Sequence, residues 1–397
     1  MSVCGIIAEY NPFHNGHAHQ IRMARMKSGC DLIAVVMSGH FVQRGEPAIL
    51  DKWTRARMAL LSGADLVVEL PCLYAARPAE IFAKAGIRLL SAMGCDCFSF
   101  GSELSEDKLL HLAEISETEP EPFPAIMRQA LDRGESHARA RGQALSALSG
   151  LSEAEINQPN ASLALEYLKA NRSLARPMRP VPIARIGGGY HDAQISKMSS
   201  ASAIRSALLR GDTQAIPQAM PAPCAEMLLR AHPHQTAQPE ALDNLLLYTL
   251  RGMSAQALGN LADMAEGLEH RILRAAQTAP SREALLSAVK CKRYAYARLS
   301  RLLLAAPLGI TRALAQAHPL PEYIRVLGFR ESARPLLRSI RRTGALPLIS
   351  DPAIFRRTPH PVFELETRAT DLWGLLTRDP ALRQAGRDYT VPLPRME

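Results

Sequence analysis

The chain is 397 residues long, which is enough for two domains that each bury a hydrophobic core. Apolar residues make up 47% and charged residues 21%, and no apolar stretch approaches the ~20 residues of a transmembrane helix, so we expect no membrane partner. The seven cysteines are scattered and odd in number, and the N-terminus lacks a basic leader and a small-residue cleavage site. These features favour reduced thiols and predict a cytoplasmic protein.

The net charge of +9 is distributed unevenly along the chain. Residues 1–200 hold 21 basic and 21 acidic residues, whereas residues 201–397 hold 26 basic and 17 acidic ones. A high-GC codon bias would explain why most of these cations are arginines, but not why they concentrate in the second half. We interpret the second half as a polyanion-binding domain attached to a neutral catalytic one.

Four short apolar runs in the first hundred residues predict buried strands, at 3–8, 31–37, 64–70 and 95–100. Predicted helices at about 16–28, 51–61 and 79–93 separate them, which is typical of a Rossmann-like, doubly wound parallel α/β sheet. Cys95 and Cys97 are interpreted as small residues entering the last strand, because their spacing is too short for a zinc knuckle. Ligands of such sheets bind at the carboxyl ends of the strands, where the polar turns 9–17, 38–46 and 101–103 fall.

The remaining chain predicts a helical insert at about 104–158, a strand at 180–186 and a helix from about Ser200 to Arg210. Residues 217–223 read as a linker, residues 225–342 as almost entirely helical, and the last fifty residues are too interrupted by proline to assign. The predicted division is therefore an α/β domain at 1–215 and a mainly α-helical, arginine-rich domain at 216–397.

The strongest chemical motif is H-x-G-H, formed by His14, Gly16 and His17 directly after the first strand. Backbone N–H groups at a helix start favour phosphate, and two imidazoles there add donors for a triphosphate. Gly16 has no Cβ and would allow close approach of a nucleotide. The alternative is a pair of solvated or zinc-binding histidines.

The turn after the second strand holds Arg44, which could meet a carboxylate substrate or could belong to a structural loop. Asp51 is more typical of a helix N-cap than of a catalytic base. Lys52 could reach phosphate or face solvent.

A basic segment in the second half combines cations and tyrosines near helical spacing, which suits phosphate contacts and base stacking. Its candidate RNA-binding residues are Lys290, Lys292, Arg293, Tyr294, Arg298 and Arg301. A second cluster comprises Arg338, Arg341 and Arg342. The alternative for both is a solvated helix face.

Several blocks along nearly the whole chain resemble the bacterial tRNA(Met) cytidine acetate ligases, within the HxGH nucleotidyltransferase superfamily. They are GIIAEYNPFHNGH at 5–17, MSGHFVQRGEPA at 37–48, GADLVVELP at 63–71, FGSE at 100–103, PN at 159–160, LEY at 165–167, ARIGGGYHD at 184–192, KRY at 292–294 and YIRVLGF at 323–329. The block KMSSASAIR at 197–205 resembles the ISSTxIR-type motif of the superfamily, in which Ser200 and Arg205 would hold the β- and γ-phosphates. An ordinary serine-capped helix is the alternative there.

The resemblance implies that acetate is activated with ATP, together with Mg²⁺, to acetyl-adenylate and that the acetyl group passes to N4 of the wobble cytidine of elongator tRNA(Met). In this reaction His14 and His17 would stabilise the triphosphate, and the turn after the second strand would bind acetate, so the predicted catalytic residues are His14, His17 and Arg44. The residues implied to bind ATP, besides Ser200 and Arg205, are Ile7, Ala8, Glu9, Tyr10, Asn11, Pro12, Phe13, His14, Asn15, Gly16, His17, Ala18, His19, Gln20, Gly101, Asn160, Arg185 and Ile186. Two residues depart from the family pattern. Residue 40 is His where the pattern has Asn, and residue 20 is Gln where the pattern commonly has His.

Two other functions remain open from the residues alone: a small-molecule adenylyltransferase, and a non-catalytic RNA-binding adaptor with a relic nucleotide site. The basic second half counts against the first and the intact His14, Gly16 and His17 against the second. No compact set of carboxylates marks a metal site, and the sequence leaves the oligomeric state open.

Overall fold

The centre of the protein is a mostly parallel β-sheet, here in a computed structural model that describes residues 1–185, 195–292 and 294–397. Ile186 and Arg293, and the glycines at 187–189, lie outside the described residues. The strands of the described part are β1 (Val3–Ala8), β2 (Leu32–Ser38), β3 (Phe41–Val42), β4 (Glu46–Pro47), β5 (Leu66–Leu70), β6 (Cys97–Ser102), β7 (Arg179–Ala184), β8 (Ile324–Arg330), β9 (Leu348–Ile349) and β10 (Arg395–Met396).

The sheet has the spatial order β10-β8-β5-β2-β1-β6-β7, with β9 paired to β8, while β3 and β4 form a separate hairpin. Every pair in the sheet is parallel except β5 with β8, where Leu66 pairs with Phe329. Because the chain leaves β1 for β2 on one side and later returns to β6 on the other, the order of strands reverses at β1. The carboxyl ends of β1 and β6 therefore flank the crevice in which doubly wound sheets bind ligands.

Helices cover both faces of the sheet. In the first half they are α1 (Asn15–Ser28), α2 (Lys52–Leu61), α3 (Cys72–Ala75), α4 (Ala79–Ala92), α5 (Glu106–Thr118), α6 (Phe123–Asp132), α7 (His137–Ser149), α8 (Glu153–Ile156), α9 (Pro159–Arg172) and α10 (Ala201–Leu209). In the second half they are α11 (Ile216–Ala219), α12 (Ala222–Ala231), α13 (Pro239–Gly252), α14 (Ala255–Gly259), α15 (Leu268–Thr278), α16 (Arg282–Val289), α17 (Tyr296–Leu308), α18 (Arg312–Ala317), α19 (Arg334–Thr343), α20 (Ile354–Arg357) and α21 (Pro361–Leu375). Within the described residues, none of these helices has the length and apolar character to cross a membrane.

The β2 strand is buried along its whole length because both of its faces are covered. Its alternate residues point to opposite faces, as the strand period requires. Ala34 and Val36 join the core formed with α4, α9 and α21, whereas Val35 and Met37 join the core formed with α1, α2 and α10. This explains why β2 lacks the alternating polar pattern of a half-exposed strand.

The predicted doubly wound α/β class is confirmed, with a largely helical second half. β1 has the predicted bounds, and Asp51 is the N-cap of α2, accepting hydrogen bonds from the N–H groups of Trp53 and Thr54. Two predictions were wrong. The proposed linker at 217–223 lies largely within α11 and α12, and the region 225–342 contains β8, a central strand of the sheet. The division at 215/216 stays a prediction, and the sheet itself crosses it.

A buried ion cluster joins the two halves of the chain. Lys52 Nζ lies 2.6 Å from a Glu69 oxygen and 2.7 Å from an Asp388 oxygen, and Arg325 pairs with the same two carboxylates. Burial alone would raise the pKa of Asp388, but the charges of Arg325 and Lys52 bring it down to about 2. The sequence left open whether Lys52 binds phosphate or faces solvent. In the structure it does neither, because it neutralises buried carboxylates.

His40 is a core residue next to this cluster. The backbone N–H of Lys52 donates to His40 Nε2 at 3.4 Å, which leaves the ring proton on Nδ1, facing the Thr370 hydroxyl at 3.1 Å. Its ring also packs against Trp373, with centroids 4.9 Å apart. The departure from the family pattern at position 40 thus affects the junction between the halves rather than the ligand crevice.

Candidate active site

The start of α1 is capped by its own two histidines. His14 is the N-cap residue, and its Nδ1 accepts a hydrogen bond from the Gly16 N–H at 3.0 Å. The Nδ1 of His17 in turn accepts from the His14 N–H at 3.2 Å. Since both Nδ1 atoms are acceptors, each neutral ring carries its proton on Nε2. The helix cap thereby turns two imidazoles into hydrogen-bond donors.

Both rings are neutral at physiological pH. Burial lowers the pKa of His14 to about 3, and the positive charge of Arg185 adds to the effect. Burial, the neighbouring His14 and Arg185 together lower the pKa of His17 well below its usual value. The rings stack with centroids 3.7 Å apart, an arrangement that two imidazolium cations would oppose.

Gly16 is required by this cap. A Cβ at this position would lie 2.8 Å from His14 Cε1 and 3.0 Å from His14 Nδ1, closer than side-chain contacts allow. The expectation that Gly16 allows a nucleotide to approach the helix start closely stays a prediction. The structure shows a different reason for glycine at this position, which is the close approach of the His14 ring.

Arg55 of α2 positions the two loops that follow β1 and β2, and the sequence analysis missed it. This buried guanidinium donates to the carbonyls of Glu9 at 2.7 Å and Ser38 at 3.1 Å. It also donates to the carbonyls of Gly39 and Leu50. Both loops are thus held by one side chain. In the described part of the chain no carboxylate forms a salt bridge with Arg55. The dipoles of the four backbone carbonyls stabilise its buried charge instead.

Hydrogen bonds also connect the loop after β1 to α10, and the start of α1 to the segment before α10 and to α11. Arg205 donates to the Asn11 carbonyl at 2.6 Å and lies 3.7 Å from a Glu46 oxygen. The Asn15 amide donates to the carbonyls of Lys197 and Gln218, each at 2.9 Å. Ser200 is the N-cap of α10, accepting from the Ala203 N–H, so the ordinary capping role expected as the alternative is present. Its side chain also lines a cavity of the site.

Three neighbouring cavities meet at His17 and Arg185. The first, of about 60 Å³, lies between α1, Gly101 and Ser200, and the second, of about 150 Å³, lies between His14 and Arg205. We call the third, of about 200 Å³, the aromatic cavity; it is bounded by Glu9, Phe82, Phe100, Leu163 and Tyr167. Together these cavities place cationic and N–H donors around a volume that suits a polyphosphate.

Most of the predicted site residues line these cavities, and Arg44 lines two of them. The members found there are Ile7, Ala8, Glu9, Tyr10, Asn11, His14, Gly16, His17, His19, Gln20, Arg44, Gly101, Asn160, Arg185, Ser200 and Arg205. Of the predicted ATP-binding residues that the structure describes, four line none of the three, namely Pro12, Phe13, Asn15 and Ala18. Phe13 is instead core, with its ring 4.8 Å from that of Tyr10.

The aromatic walls were not predicted as site residues. Asn160, Leu163 and Tyr167 lie on one face of α9, at the i, i+3 and i+7 spacing that places residues together on a helix. This spacing was readable in the sequence, but nothing local showed that the face borders a cavity rather than the core. Phe82 of α4 meets them only through the tertiary fold.

The C-terminal end of the predicted RNA-binding segment contacts the turn at 43–45 of this site. Ser300 donates to the Arg44 carbonyl at 2.6 Å, and Arg282 donates to the Gly45 carbonyl at 2.7 Å. Arg301, one of the predicted RNA-binding residues, donates to the Gln43 carbonyl at 3.3 Å and is partly buried. Lys290 and Lys292 are exposed, while the guanidinium of Arg298 lies 5.0 Å from the ring centre of Tyr294.

A separate cluster of His318, Glu322 and His360 is the one group in the described part of the chain with three close potential metal ligands. His360 Nδ1 accepts from the Val362 N–H at 3.2 Å, so its proton lies on Nε2 and is donated to Glu322 at 2.8 Å. A metal at Nε2 would need the opposite tautomer. The cluster is best explained as hydrogen bonding that caps α21.

The doubly wound sheet and its doubly capped histidine helix define a nucleotidyltransferase, and the family model described as HIGH Nucleotidyl Transferase matches residues 1–388. Curated tRNA(Met) cytidine acetate ligases are similar over almost their whole length. The enzyme from Acetivibrio thermocellus is 36% identical over 98% of this chain and 99% of its own, and that from Bacillus subtilis is 33% identical over 96% and 94%. The chain belongs to the tRNA(Met) cytidine acetate ligase family.

Solved structures agree with this assignment. Thermotoga maritima TmcAL bound with alpha-thio ATP superposes with a TM-score of 0.91 at 28% identity, and its apo form with 0.92 at 29%. Each comparison covers 100% of both chains.

Proposed function

We propose that this protein activates acetate with ATP and transfers the acetyl group to N4 of the wobble cytidine of elongator tRNA(Met). The observation that carries the proposal is the pair of neutral Nε2–H donors on His14 and His17, two residues that line the cavities at the switch point of the sheet. The family's curated relatives are named for this ligase activity, and a neighbour in structure binds an ATP analogue.

In the first half-reaction, an acetate oxygen attacks the α-phosphorus of ATP and pyrophosphate leaves. Negative charge on the phosphate oxygens increases in the transition state, so fixed donors are needed there and no protein nucleophile is required. His14 and His17 donate from Nε2 without having to lose a proton. Arg205 and Ser200 face the same cavity and suit the β- and γ-phosphates, while Arg44 suits the acetate carboxylate.

In the second half-reaction, the cytidine N4 amine attacks the acetyl carbon and AMP leaves. Acetyl-adenylate is a mixed anhydride, which is already activated toward an amine, so no covalent acetyl-protein intermediate is required. The exposed Lys290 and Lys292 lie in the segment that leads to the active-site turn at 43–45, which supports this basic segment as a phosphate-binding surface for the tRNA.

We infer that Mg²⁺ enters as its complex with ATP. Among the described residues of the three cavities, Glu9 is the one carboxylate that lines them, which does not make a dedicated cage. Magnesium in nucleotide sites is commonly held by substrate phosphates and water with few protein ligands, so these residues fit that mode. The ion would neutralise phosphate charge alongside Arg205.

The test is to incubate the protein with ATP, labelled acetate and tRNA, and to digest the RNA to nucleosides. N4-acetylcytidine that depends on both acetate and ATP is the expected result. Pyrophosphate release with a small acceptor and unlabelled RNA would indicate a small-molecule adenylyltransferase instead. RNA binding without ATP turnover would indicate an adaptor.

A further inference from the structure

Glu9 lines both the aromatic cavity and the second cavity, which lies between His14 and Arg205. It directly follows β1, and its carbonyl is held by Arg55. Its Oε1 accepts a hydrogen bond from the Gln43 N–H at 2.8 Å. Among the described residues, this is the one hydrogen bond of the carboxylate, and no cation lies within 4.0 Å of it. The other oxygen is therefore available to a ligand.

The other candidate proton acceptors compared with Glu9, namely His14, His17 and Glu103, are already engaged by neighbouring groups. The Nδ1 atoms of His14 and His17 are occupied by backbone N–H donors, and their Nε2 atoms already carry protons. Glu103 accepts from the Asn160 amide with one oxygen and from the Ala161 N–H at 3.1 Å with the other. Within the described lining of the aromatic cavity, Glu9 is the one carboxylate.

The walls of the aromatic cavity fit a planar base. Phe82, Phe100 and Tyr167 are at most 5% exposed, and the rings of Phe100 and Tyr167 lie 6.1 Å apart. A volume of about 200 Å³ has room for several water molecules or one small ring. At the polar end, the Glu9 carboxylate can accept a hydrogen bond from an exocyclic amine, whereas Arg44 and Arg185, which line the same cavity, suit acetate and phosphate oxygens.

We propose that the aromatic cavity receives the acceptor cytosine and that Glu9 accepts the proton that its N4 amine loses during acetyl transfer. The inference rests on the function proposed above. As N4 bonds to the acetyl carbon, one N–H proton passes to Glu9 Oε2. The bond between the acetyl carbon and the phosphate oxygen then breaks with its electron pair, and AMP leaves. Because a cytosine amine is a weak nucleophile, removal of this proton accelerates the step.

The electrostatic surroundings of Glu9 agree with this role. Burial raises its pKa, whereas the Gln43 N–H, Arg205 and Arg44 counteract the increase and Glu46 adds to it. Tyr167 faces the same region, where burial and the charge of Glu9 raise its own pKa well above the usual value. A base with a pKa nearer neutrality takes and releases a proton efficiently.

The central variant is Glu9→Gln, whose amide oxygen can still accept from the Gln43 N–H. Acetyl-adenylate is measured by acetate-dependent ATP–pyrophosphate exchange and by trapping with hydroxylamine, a strong nucleophile that does not need the base. We expect transfer to tRNA to fall about 10²–10⁴-fold and exchange and trapping to fall far less. The acid limb of the pH profile of transfer should also disappear. Glu80→Gln, at an exposed residue paired with Lys84, is the matched control.

Equal loss of exchange and transfer in Glu9→Gln, or normal transfer, would overturn the inference. Leu163→Trp tests the cavity independently of the folding of the Glu9 variant, because the indole would fill the space beside α9. It should block transfer to tRNA and leave hydroxylamine trapping intact. If the wild-type protein makes acetyl-adenylate but no N4-acetylcytidine, the proposed function fails. If it makes both and Glu9→Gln is unaffected, only this inference fails.

Discussion

His14 uses the two nitrogens of one ring for different purposes. Nδ1 caps α1, and Nε2–H is left to the ligand cavity. The motif therefore combines helix formation and phosphate binding in one residue, and an alanine variant would lose both. Asn is a strong N-cap that lacks the second donor, so it can separate the two roles.

In His14→Asn we expect acetate-dependent ATP–pyrophosphate exchange to fall about 10²–10³-fold, the usual effect of removing one transition-state donor. The free energy of unfolding should change by no more than about 1 kcal/mol, since the cap is retained. Exchange kinetics and urea denaturation measure the two effects. Gly16→Ala should impair both, because its Cβ would meet the His14 ring. If His14→Asn lowered the unfolding free energy by as many kcal/mol as it raised the activation free energy of exchange, the two roles of His14 would not be separate.

Two buried histidines, His14 and His40, and the partly buried His17 make stability depend on pH. Burial lowers the pKa of His14 to about 3, and it lowers the values of His17 and His40 well below their usual range. As the pH falls below about 6.5, these histidines become protonated in the unfolded chain but stay neutral in the native protein. Protonation therefore stabilises the unfolded state, and the free energy of unfolding decreases.

His40→Asn should reduce this acid sensitivity, because it removes one such ring without touching the ligand cavities. The measurement is the change in unfolding free energy between about pH 7 and pH 5 for the variant and the wild type. A replacement of the exposed His270 serves as the control. An unchanged pH dependence in His40→Asn would show that its ring is not excluded from protonation in the native state.

At the scale of elements, the site depends on two loops and one helix that holds them. Arg55 of α2 donates to four carbonyls in or beside the loops after β1 and β2. Removing the guanidinium would leave several buried acceptors without a donor, each costing about 1–3 kcal/mol.

Arg55→Met should therefore lower the unfolding free energy by about 3 kcal/mol or more and raise the KM for ATP. Arg57→Met is a matched control on the same helix, because Arg57 is exposed. Denaturation and steady-state exchange kinetics give both quantities. Similar effects in the two variants would mean that Arg55 acts only through the general stability of α2.

The sequence was most informative where local signals decide structure. The apolar runs predicted β1, β2, β5 and β6, and the glycine and histidines after β1 predicted the cavity. What could not be predicted comes from contacts distant in sequence. The short apolar run of β8 was absorbed into a helical region, because only its pairing with β5 distinguishes it from a helix. For the same reason the sequence left Lys52 open between phosphate and solvent and gave no role to Arg55.

At the scale of the whole molecule, the ion cluster and the shared sheet predict that both halves unfold together. Trp53 lies on α2 in the first half and Trp373 on α21 in the second half, where the Trp373 indole also donates to the Ala48 carbonyl of the first half at 2.6 Å. In Trp53→Phe and in Trp373→Phe, the remaining indole should give one transition that coincides with loss of helical circular dichroism. Fluorescence and circular dichroism midpoints that differ within one variant would support two independently folding domains, as a division at 215/216 would require.

The antiparallel pairing of Leu66 with Phe329 also sets an order of events during synthesis. While the ribosome is still making the second half, the backbone groups along one side of β5 have no neighbouring strand, although β1, β2 and β6 are already complete. An open strand edge invites pairing with other chains. A nascent chain that stalls before β8 is thus expected to need a chaperone.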